Sequence, residues 1–508
     1  MTAVAAKHLA RLNEEAFERR GDYPSLFFED RWHGTAELFE RSSRLAGGLI
    51  ELGIEPGERV VVCMANCPEV TVSYQALWRA GAVVTPAMFL LAPEDLRHVI
   101  EHSEASAVIT TPEFVDKVRD AADGVDCVRH VISTGVEASD AGLLGLSELE
   151  QSDQAAIVPR ADDDLAVLLY TGGTTGRAKG VMISHASLNF TGQAVEKAAH
   201  VSGVNRHLMT LPLAHAYGIL MTIAGLHAPE PPALVLMRWF DPAAFLRLVQ
   251  EHGVHSAALV PSMIQMLMAQ PVEEFDLSSL SYFGSGAAPL APEVVEEVRR
   301  RLPWVSIREG YGLSETAALV STNPAGREKP GSVGLPVPGA EVRILDDDGH
   351  SLPAGEPGEV CVRSPAVMQG YWRAPEATAE AIRDGWLHTG DIGRLDEEGY
   401  LFIVDRKKDL IIRGGFNVYP RDVEDALLEH PAVAGAGVVG RPDSRRGEEV
   451  VAFVALTSPD VVTADELVAW ARERIGGYKY PREVHIVDAI PLTAVGKLDR
   501  KALRARLL

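Results

Sequence analysis

A glycine- and threonine-rich segment, YTGGTTGRAKGV at 170–181, holds the residues best suited to phosphate chemistry. Its glycines let the backbone approach an anion, its hydroxyls can donate to phosphate oxygens, and its lysine adds a positive charge. The candidate nucleotide-binding residues are Thr171, Gly172, Gly173, Thr174, Thr175, Gly176 and Lys179. The GxxxxGK(S/T) spacing is absent, which argues against a P-loop ATPase. The segment therefore predicts a nucleoside triphosphate site of another kind, and the alternative is a flexible turn after a strand.

Length and charge limit the classes of function. The chain has 508 residues, which predicts roughly two to four domains and leaves room for a deep site. With 48 basic and 71 acidic residues the formal net charge is −23, which argues against broad binding to nucleic acid or to anionic membranes. A small anionic ligand bound in a local basic cleft remains compatible with this charge.

The cysteines and the N-terminus predict a cytoplasmic protein. Apart from an isolated CxxxC, the four cysteines lack metal-ligand spacing and are expected to be packing residues in a reducing compartment: Cys63, Cys67, Cys127 and Cys361. Residues 1–20 are interrupted by charges and have the pattern of an amphipathic helix, not of a signal peptide. No apolar run approaches the roughly 20 residues of a membrane helix, so no integral membrane segment is expected.

Strand and helix patterns predict an α/β fold. Between about 40 and 270, helical patterns such as 242–253 alternate with short apolar runs expected to be mostly parallel strands, at 59–64, 107–110, 165–170, 234–237 and 256–260. From 339 to 403 turn signals interrupt the strands, which predicts a β-rich subdomain. We therefore expect a large N-terminal domain, 1–404, built of layered α/β subdomains and this β-rich part.

A charged cluster, DRKKD at 405–409, marks the predicted domain boundary. The roughly 100 residues after it mix helix and strand patterns and are enough for a small α+β domain. The expected elements are helices at 420–429 and 463–475 and strands at 433–440 and 449–456. The sequence thus predicts a hinge at 405–409 and a mobile C-terminal domain at 410–508.

Four further motifs follow the first loop in a fixed order: YGLSET at 311–316, HTGD at 388–391, DRKKDLIIRGGFNVYP at 405–420 and PLTAVGK at 491–497. Together the five motifs closely resemble the adenylate-forming superfamily, which comprises acyl- and aryl-CoA ligases, adenylation domains of nonribosomal peptide synthetases and beetle luciferases. The resemblance spans nearly the whole chain. Its length and two-domain layout look most like an acyl-CoA ligase, which implies ATP, Mg²⁺ and CoA as cofactor or co-substrates.

The implied reaction explains why cationic groups are needed. A carboxylate resists nucleophilic attack, so it is first joined to AMP, with release of pyrophosphate, and a thiol then attacks the acyl adenylate. The first step brings two anions together, so positive charge must be supplied where they meet. By resemblance, Lys497 bridges the carboxylate and the α-phosphate, and Glu315 holds Mg²⁺ with Thr171 as a second contact. The alternatives are an exposed C-terminal lysine and a glutamate that caps a surface helix.

The resemblance also implies further nucleotide contacts. Asp391 and Arg406 match the family's ribose and phosphate contacts, although an aspartate in TGD is also an ordinary turn former. The segment GSGAAP at 284–289 resembles an adenine platform and is otherwise a strand-to-helix turn. The remaining implied nucleotide contacts are Gly286, Ala287, Ala288, Tyr311, Gly312 and Ser314.

The implied acyl pocket is apolar. His215, in LPLAHAY, matches a histidine at the pocket entrance and is otherwise a packed histidine. The other implied pocket residues are Met221, Ala287, Gly310, Gly312, Ala317 and Leu319. Such a lining suggests fatty or arylalkanoic acids without naming one. Ala214, where an aromatic residue is common, and PEPP at 229–232, in place of a glycine turn, depart from the family pattern and put the acyl assignment in doubt.

Domain rotation between the two half-reactions is implied as well. Lys408 matches the hinge position, and Gly414 and Gly415 match the loop that enters the site for the CoA step. Composition alone would favour a solvated charge cluster followed by a hairpin turn. The closest alternative function is an adenylating enzyme that loads an acyl carrier protein. A catalytically idle acyl-nucleotide-binding regulator and a luciferase-like oxidation are the others.

Overall fold

The structure is a computed structural model and describes residues 7–136, 142–171, 177–459, 461–493 and 498–507. Its α-helices are α1 Leu9–Arg20, α2 Thr35–Glu51, α3 Pro68–Arg79, α4 Pro93–Ser103, α5 Val115–Ala122, α6 Leu146–Leu149, α7 His185–Ala199, α8 Ala216–His227, α9 Pro242–His252, α10 Pro261–Met268, α11 Pro292–Arg301, α12 Pro375–Ala381, α13 Pro420–Leu428, α14 Ala464–Arg474 and α15 Arg500–Ala505. Short 3₁₀ turns lie at Pro112–Phe114, Val272–Glu274, Ser314–Thr316 and Lys407–Asp409.

The strands are β1 Pro24–Phe28, β2 Arg31–Gly34, β3 Arg59–Cys63, β4 Val83–Pro86, β5 Ala105–Thr110, β6 His130–Ser133, β7 Leu143–Gly145, β8 Leu165–Thr171, β9 Lys179–Ser184, β10 Arg206–Met209, β11 Ala233–Leu236, β12 Ser256–Leu259, β13 Tyr282–Ser285, β14 Ser306–Tyr311, β15 Ser321–Thr322, β16 Leu335–Pro336, β17 Glu341–Leu345, β18 Gly358–Arg363, β19 Gly370–Tyr371, β20 Ile382–Arg383, β21 Trp386–Leu395, β22 Leu401–Arg406, β23 Ile411–Arg413, β24 Phe416–Val418, β25 Val433–Asp443, β26 Gly447–Leu456 and β27 Glu483–Val487.

The chain divides into two compact units, Met1–Glu341 with Val362–Leu387 and Val342–Cys361 with His388–Leu508. Both mix helices and strands, as expected of an α/β fold. The predicted boundary at 404 and the hinge at 405–409 stay predictions. The 339–403 region contains several strands and only one helix among its described elements, as expected of a β-rich part. That helix is α12, and the short strand β19 pairs with β9 of a larger sheet.

The first unit contains two large sheets flanked by helices. One sheet runs β16-β15-β14-β13-β12-β10-β11-β1-β2 and the other β19-β9-β8-β4-β3-β5-β6-β7. The strands from β14 to β1 in the first and from β8 to β7 in the second are parallel, which confirms the predicted strand direction. Successive valines on β3, Val60, Val61 and Val62, are all at most 1% exposed. Burial on both faces is the reason that such strands read as continuous apolar runs.

Two smaller sheets lie mainly in the second unit, although β20 and the first two residues of β21 belong to the first unit. One has the order β17-β18-β21-β20 with β22 on β21, and the other β24-β23-β26-β25 with β27 on β26. Helices α13 and α14 pack on the second of these through a core that includes Val423, Leu427, Val450 and Leu467. The predicted C-terminal helices and strands are all present, and their ends differ from the prediction by at most three residues.

Within the described ranges, no helix combines the length and the apolar composition needed to cross a bilayer. The four cysteines all lie in these ranges, and none of them forms a disulfide bond with a described residue. Cys63, Cys67 and Cys361 are buried, and Cys127 is partly buried. Burial raises the pKa of the Cys63 thiol to about 11, so this group stays protonated and packs as a small apolar side chain.

Candidate active site

The phosphate-binding candidates lie at the end of an antiparallel hairpin. Strands β8 and β9 pair so that Thr171 faces Lys179 across the ladder. The five residues that join them, Gly172, Gly173, Thr174, Thr175 and Gly176, lie outside the described residues. Lys179 is exposed and Thr171 half-buried. The two described ends of the predicted triphosphate loop are therefore neighbours, with a cationic and a hydroxyl side chain at its base.

Glu315 is linked to this hairpin through an aromatic residue. Tyr371, on β19, pairs with Val181 of β9, and its hydroxyl donates to Glu315 Oε1 at 2.9 Å. The Lys179 ammonium lies 4.9 Å from the centroid of the same tyrosine ring. The backbone of Glu315 is also fixed, because its carbonyl accepts from Met368 N at 2.8 Å. The structure thus brings together Glu315 and Lys179, which are far apart in sequence.

The GSGAAP and YGLSET segments are neighbours because they follow adjacent parallel strands. Strand β13 pairs with β14, so their carboxyl ends meet at one edge of the sheet. A Cβ added at Gly286 would lie 3.4 Å from the carbonyl oxygen of Gly310. Ala287 has φ of 69°, a strained value for a residue with a side chain, and Ala288 follows it. This edge holds the residues predicted to carry adenine.

Close backbone packing explains the glycine in YGLSET. A Cβ at Gly312 would lie 2.0 Å from the carbonyl oxygen of Ala318, so no other residue fits without moving the backbone. Tyr311 ends β14, and Ser314 begins the 3₁₀ turn that contains Glu315. Within this turn the Thr316 hydroxyl accepts from Leu313 N at 3.1 Å. The motif is therefore a rigid turn that presents the Glu315 carboxylate.

The predicted acyl-pocket residues come from this turn and from α8. Ala317 and Leu319 are buried, and Leu319 Cδ1 would be 3.5 Å from a Cβ at Gly310. His215 caps α8, and its Nδ1 accepts from Tyr217 N at 3.3 Å. Met221, further along the helix, packs against the core cluster that includes Ala317. The pocket assignment itself stays a prediction.

In the second unit, Asp391 and Arg406 form a cross-strand pair. They face each other in the β21–β22 ladder, and Arg406 Nε lies 2.9 Å from Asp391 Oδ1. Asp391 is 3% exposed. Glu359 holds the preceding turn, since its Oε1 accepts from Gly390 N at 3.3 Å and its Oε2 lies 3.3 Å from His388 Nδ1. The HTGD motif is thus a braced turn that fixes an aspartate and an arginine together.

The residues at the predicted hinge are anchored to different elements. Lys407 Nζ lies 2.9 Å from Asp347 and 3.3 Å from Glu359, whereas Asp409 pairs at 2.8 Å with Arg504 of α15. Lys408, between them, is exposed. The two sides of this segment are thus fixed to separate elements, and the hinge role of Lys408 stays a prediction.

The glycines of the predicted CoA-step loop form a tight turn. Gly414 and Gly415 join β23 to β24 with φ of 60° and 83°. Two consecutive positive φ values are typical of a type I′ hairpin and favour glycine at both positions. A Cβ at either residue would meet no heavy atom of the described structure within 4 Å, so the tip of the turn is open.

Lys497 lies outside the described residues, together with Ala494, Val495 and Gly496, but the flanks of its loop are described. Leu492 and Leu498 form an antiparallel bridge, so the loop is closed at its base. Just after it, Arg500 binds both carboxylate oxygens of the buried Glu424, at 2.7 and 2.8 Å. These contacts fix the C-terminal end of the lysine loop.

Several residues that support the candidate site were not predicted. Tyr371 contacts Glu315 across 56 residues of sequence, and Arg500 contacts Glu424 across 76. Glu359 braces the HTGD turn from another strand. An aromatic residue in GYW and a glutamate in GEV are ordinary strand residues, so the sequence offered no signal for these roles.

Comparison with known proteins identifies the family. The profile of the AMP-binding enzyme family matches residues 13–372, and that of the AMP-binding enzyme C-terminal domain matches residues 422–497. The chain belongs to the AMP-binding enzyme family. This confirms the resemblance to adenylate-forming enzymes stated from the five motifs.

Full-length relatives and solved structures agree with this membership. The chain is 37% identical over 475 residues to a feruloyl-CoA synthase from an Amycolatopsis species, covering 93% of both chains. It is 34% identical to a long-chain-fatty-acid–CoA ligase from Escherichia coli O6:H1, covering 98% of this chain and 94% of the relative. The crystal structure of ATP-bound MatB from Rhodopseudomonas palustris is similar, with a TM-score of 0.90, 30% identity and 98% of each chain covered. The family's large N-terminal and small C-terminal arrangement therefore extends over this chain.

Proposed function

We propose that the protein is an ATP-dependent acyl-CoA ligase. A carboxylic acid reacts with ATP to give an acyl adenylate and pyrophosphate, and the CoA thiol then displaces AMP to give the acyl-CoA thioester. The observation that carries this proposal is the Glu315–Tyr371–Lys179 cluster beside the β8–β9 hairpin, in a chain that matches AMP-binding enzymes over both of its domains. Names of relatives that make CoA thioesters support the same reaction.

The first unit supplies the phosphate end of the adenylation site. Lys179 and the hydroxyl of Thr171 lie at the base of the loop that binds the triphosphate. The available ligand atoms fit Mg²⁺, a hard cation that prefers oxygen ligands and keeps several waters. Glu315 offers a carboxylate whose Oε1 accepts a hydrogen bond from the Tyr371 hydroxyl. Mg²⁺ bound by Glu315, with Thr171 as a second contact, would neutralise phosphate charge during attack by the carboxylate.

Lys497 supplies the positive charge at the reacting atoms. It neutralises the carboxylate and the α-phosphate as they approach, where a unit-charge pair at about 4 Å is worth about 4 kcal/mol at an effective dielectric near 20. Asp391 holds the ribose hydroxyls, because a carboxylate accepts two hydroxyl hydrogen bonds, and Arg406 contacts phosphate. Rotation of the C-terminal domain about Lys408 then replaces Lys497 with the Gly414–Gly415 turn for the thiol step.

The acyl substrate is an apolar acid, aromatic or aliphatic. The candidate pocket residues His215, Met221, Ala317 and Leu319 provide no carboxylate to pair with an ammonium group, which argues against amino acids. Relatives named for feruloyl and long-chain fatty acyl thioesters span both acid types. CoA is the favoured acceptor, and loading of an acyl carrier protein is the alternative. A cytoplasmic location stays a prediction.

A panel of carboxylic acids tests the proposal. Purified protein is incubated with ATP, Mg²⁺ and each acid, with CoA or with a carrier protein, and products are scored by mass spectrometry as adenylates and thioesters. We expect ATP-dependent formation of CoA thioesters from apolar acids, and about 100- to 1000-fold slower formation with Lys497→Ala. Thioesters only on carrier protein would favour the alternative, and the absence of any adenylate would refute both.

A further inference from the structure

A cavity of about 260 Å³ lies inside the first unit. Helices α1, α2, α3, α7 and α8 line it, together with strands β10, β11 and β13. Its wall is mainly apolar and includes Phe17, Leu38, Phe39, Val72, Val204 and Met221. The PEPP segment at 229–232, which departs from the family pattern, also contributes to the wall.

Helix α8 links the candidate acyl site to the cavity, because Met221 is both an implied pocket residue and part of the cavity wall. At the start of this helix, Leu220 shares an apolar cluster with Leu319, next to the YGLSET turn. One residue further, Met221 lines the cavity, as does Tyr282 at the start of β13. Strand β13 runs the opposite way and ends at the adenine-platform segment, and a Cβ at its Gly284 would lie 3.4 Å from the Tyr217 hydroxyl. Helix and strand therefore lead from the candidate site to the cavity.

Arg20 and His207 at the wall make hydrogen bonds within the protein, whereas Gln75 Oε1 and Arg20 Nε are buried there without a hydrogen-bond partner. The Arg20 guanidinium donates to backbone carbonyls at the end of α8, including that of Leu226 at 3.0 Å. His207 Nδ1 lies 2.7 Å from Ser256 Oγ, and burial lowers the pKa of His207 to about 4, so its ring is neutral at pH 7. An aliphatic ligand would meet mostly carbon surface and no unpaired charge from these two residues.

The dimensions fit an alkyl chain. Six residues of helix separate His215 from Met221 and ten separate it from Gly225, which correspond to about 9 and 15 Å. An extended chain advances about 1.2 Å per bond, since three backbone bonds span about 3.5 Å. A carboxylate held near His215 thus needs about eight bonds to reach Met221 and about twelve to reach Gly225.

We infer that this cavity binds the tail of the acyl substrate and that the preferred substrates are medium- to long-chain aliphatic acids. The inference rests on the proposed function and narrows its substrate class. Short acids leave the cavity empty. Each methylene that enters the cavity is removed from water and raises kcat/KM by about fourfold, which corresponds to the free energy of burying one CH₂.

Gly225 allows the cavity to be filled by substitution. It lies within α8 and lines the cavity, and a Cβ added there would find only Pro232 Cγ within 4 Å, at 3.8 Å. Gly225→Phe therefore places a ring in the cavity, Gly225→Leu fills it less, and Gly225→Ala adds one methyl as the matched control. Replacing a helical glycine favours the helix, so these variants are expected to fold. Thermal melting checks that they do.

The test compares kcat/KM for butanoic, octanoic and dodecanoic acids, measured as acyl-CoA formation, in the wild type and the three variants. In the wild type we expect a rise of at least 100-fold from butanoic to dodecanoic acid. Gly225→Phe should lose at least 30-fold more on dodecanoic than on butanoic acid, Gly225→Leu less, and Gly225→Ala under threefold.

Two results would overturn the inference. A flat chain-length profile in the wild type is one, and an equal loss on all acids in Gly225→Phe is the other. Efficient use of hydroxycinnamic acids with no use of octanoic or dodecanoic acid would overturn it while leaving the proposed ligase function intact. Failure to activate any acid would instead remove the proposed function.

Discussion

The hydrogen bond from Tyr371 to Glu315 provides a sharp test of how the candidate metal ligand is positioned. Tyr371→Phe removes the hydroxyl that donates to Glu315 Oε1 at 2.9 Å and keeps the ring beneath the Lys179 ammonium. A hydrogen bond to a charged group contributes about 1.5–3 kcal/mol, and loss of a partner that orients a metal ligand typically costs 10- to 100-fold in metal affinity or activity. We therefore expect acid-dependent pyrophosphate–ATP exchange to fall about 10- to 100-fold at low Mg²⁺.

The assay is a titration of Mg²⁺ at saturating ATP and acid. In Tyr371→Phe the Mg²⁺ concentration for half-maximal exchange should rise, and excess Mg²⁺ should restore part of the rate. Tyr371→Leu, which also removes the ring, should lose more because Lys179 then loses its cation–π partner. An unchanged Mg²⁺ dependence in Tyr371→Phe, with normal exchange, would contradict the positioning role.

Three further predictions follow from the site and from the buried histidines. Lys497→Ala should lower adenylation about 100- to 1000-fold, yet largely preserve thioester formation from prepared acyl adenylate; an equal loss in both half-reactions would contradict its role. Lys408→Pro, which fixes φ near −65°, should retain pyrophosphate exchange and lose CoA thioester output, whereas normal turnover would remove the hinge role. Burial lowers the pKa of His8, which stacks on His185 at 4.3 Å, to about 4. Because the folded-state pKa of His8 lies below its ordinary value of 6.5, the stability that depends on neutral His8 is present above pH 6.5. The free energy of unfolding then declines as pH falls towards 4, by about 2 kcal/mol at pH 5. His8→Asn, which keeps a capping side chain for α1, should reduce the loss of unfolding free energy between pH 7 and pH 5 by about 2 kcal/mol in urea unfolding, and the loss that remains belongs to other buried histidines such as His207. An unchanged loss would contradict the role of His8.

The sequence predicted the parts of the fold that depend on local patterns. Each predicted apolar run forms a strand, namely β3, β5, β8, β11 and β12. Parallel strands that are buried on both faces have apolar residues at successive positions, so they are visible in the sequence as apolar runs. The motifs marked 284–289 and 311–316 as candidate nucleotide-binding loops, and the sheet topology explains why these two loops are neighbours. Parallel strands that are adjacent bring their carboxyl ends to one edge.

Contacts between distant segments lay beyond the sequence. The Tyr371–Glu315 bond depends on β19 pairing with β9, and a two-residue strand leaves no periodic signal. The Arg500–Glu424 pair, which anchors the end of the lysine loop, joins helices α13 and α15, which pack into two different apolar clusters of the second unit. The cavity beside α8 arises from five helices together, so no single segment predicts it.

The two compact units are another feature that depends on contacts between distant segments. A charged cluster at 405–409 marks a change in composition, but contacts group 342–361 and 388–404 with the C-terminal residues. Lys407 and Asp409 show why, since each is paired with a separate element of that unit. Composition shows which segments are hydrophilic, whereas the division into compact units depends on which ion pairs and strand pairs form.

The most direct test of the central claim is pyrophosphate–ATP exchange that depends on an added organic acid. Purified wild-type protein with Mg²⁺ and an apolar acid should exchange labelled pyrophosphate into ATP without CoA, and Lys497→Ala should abolish nearly all of it. Exchange that is absent with every acid, or that is independent of acid and unaffected by Lys497→Ala, would contradict the proposal that this chain activates carboxylates as adenylates.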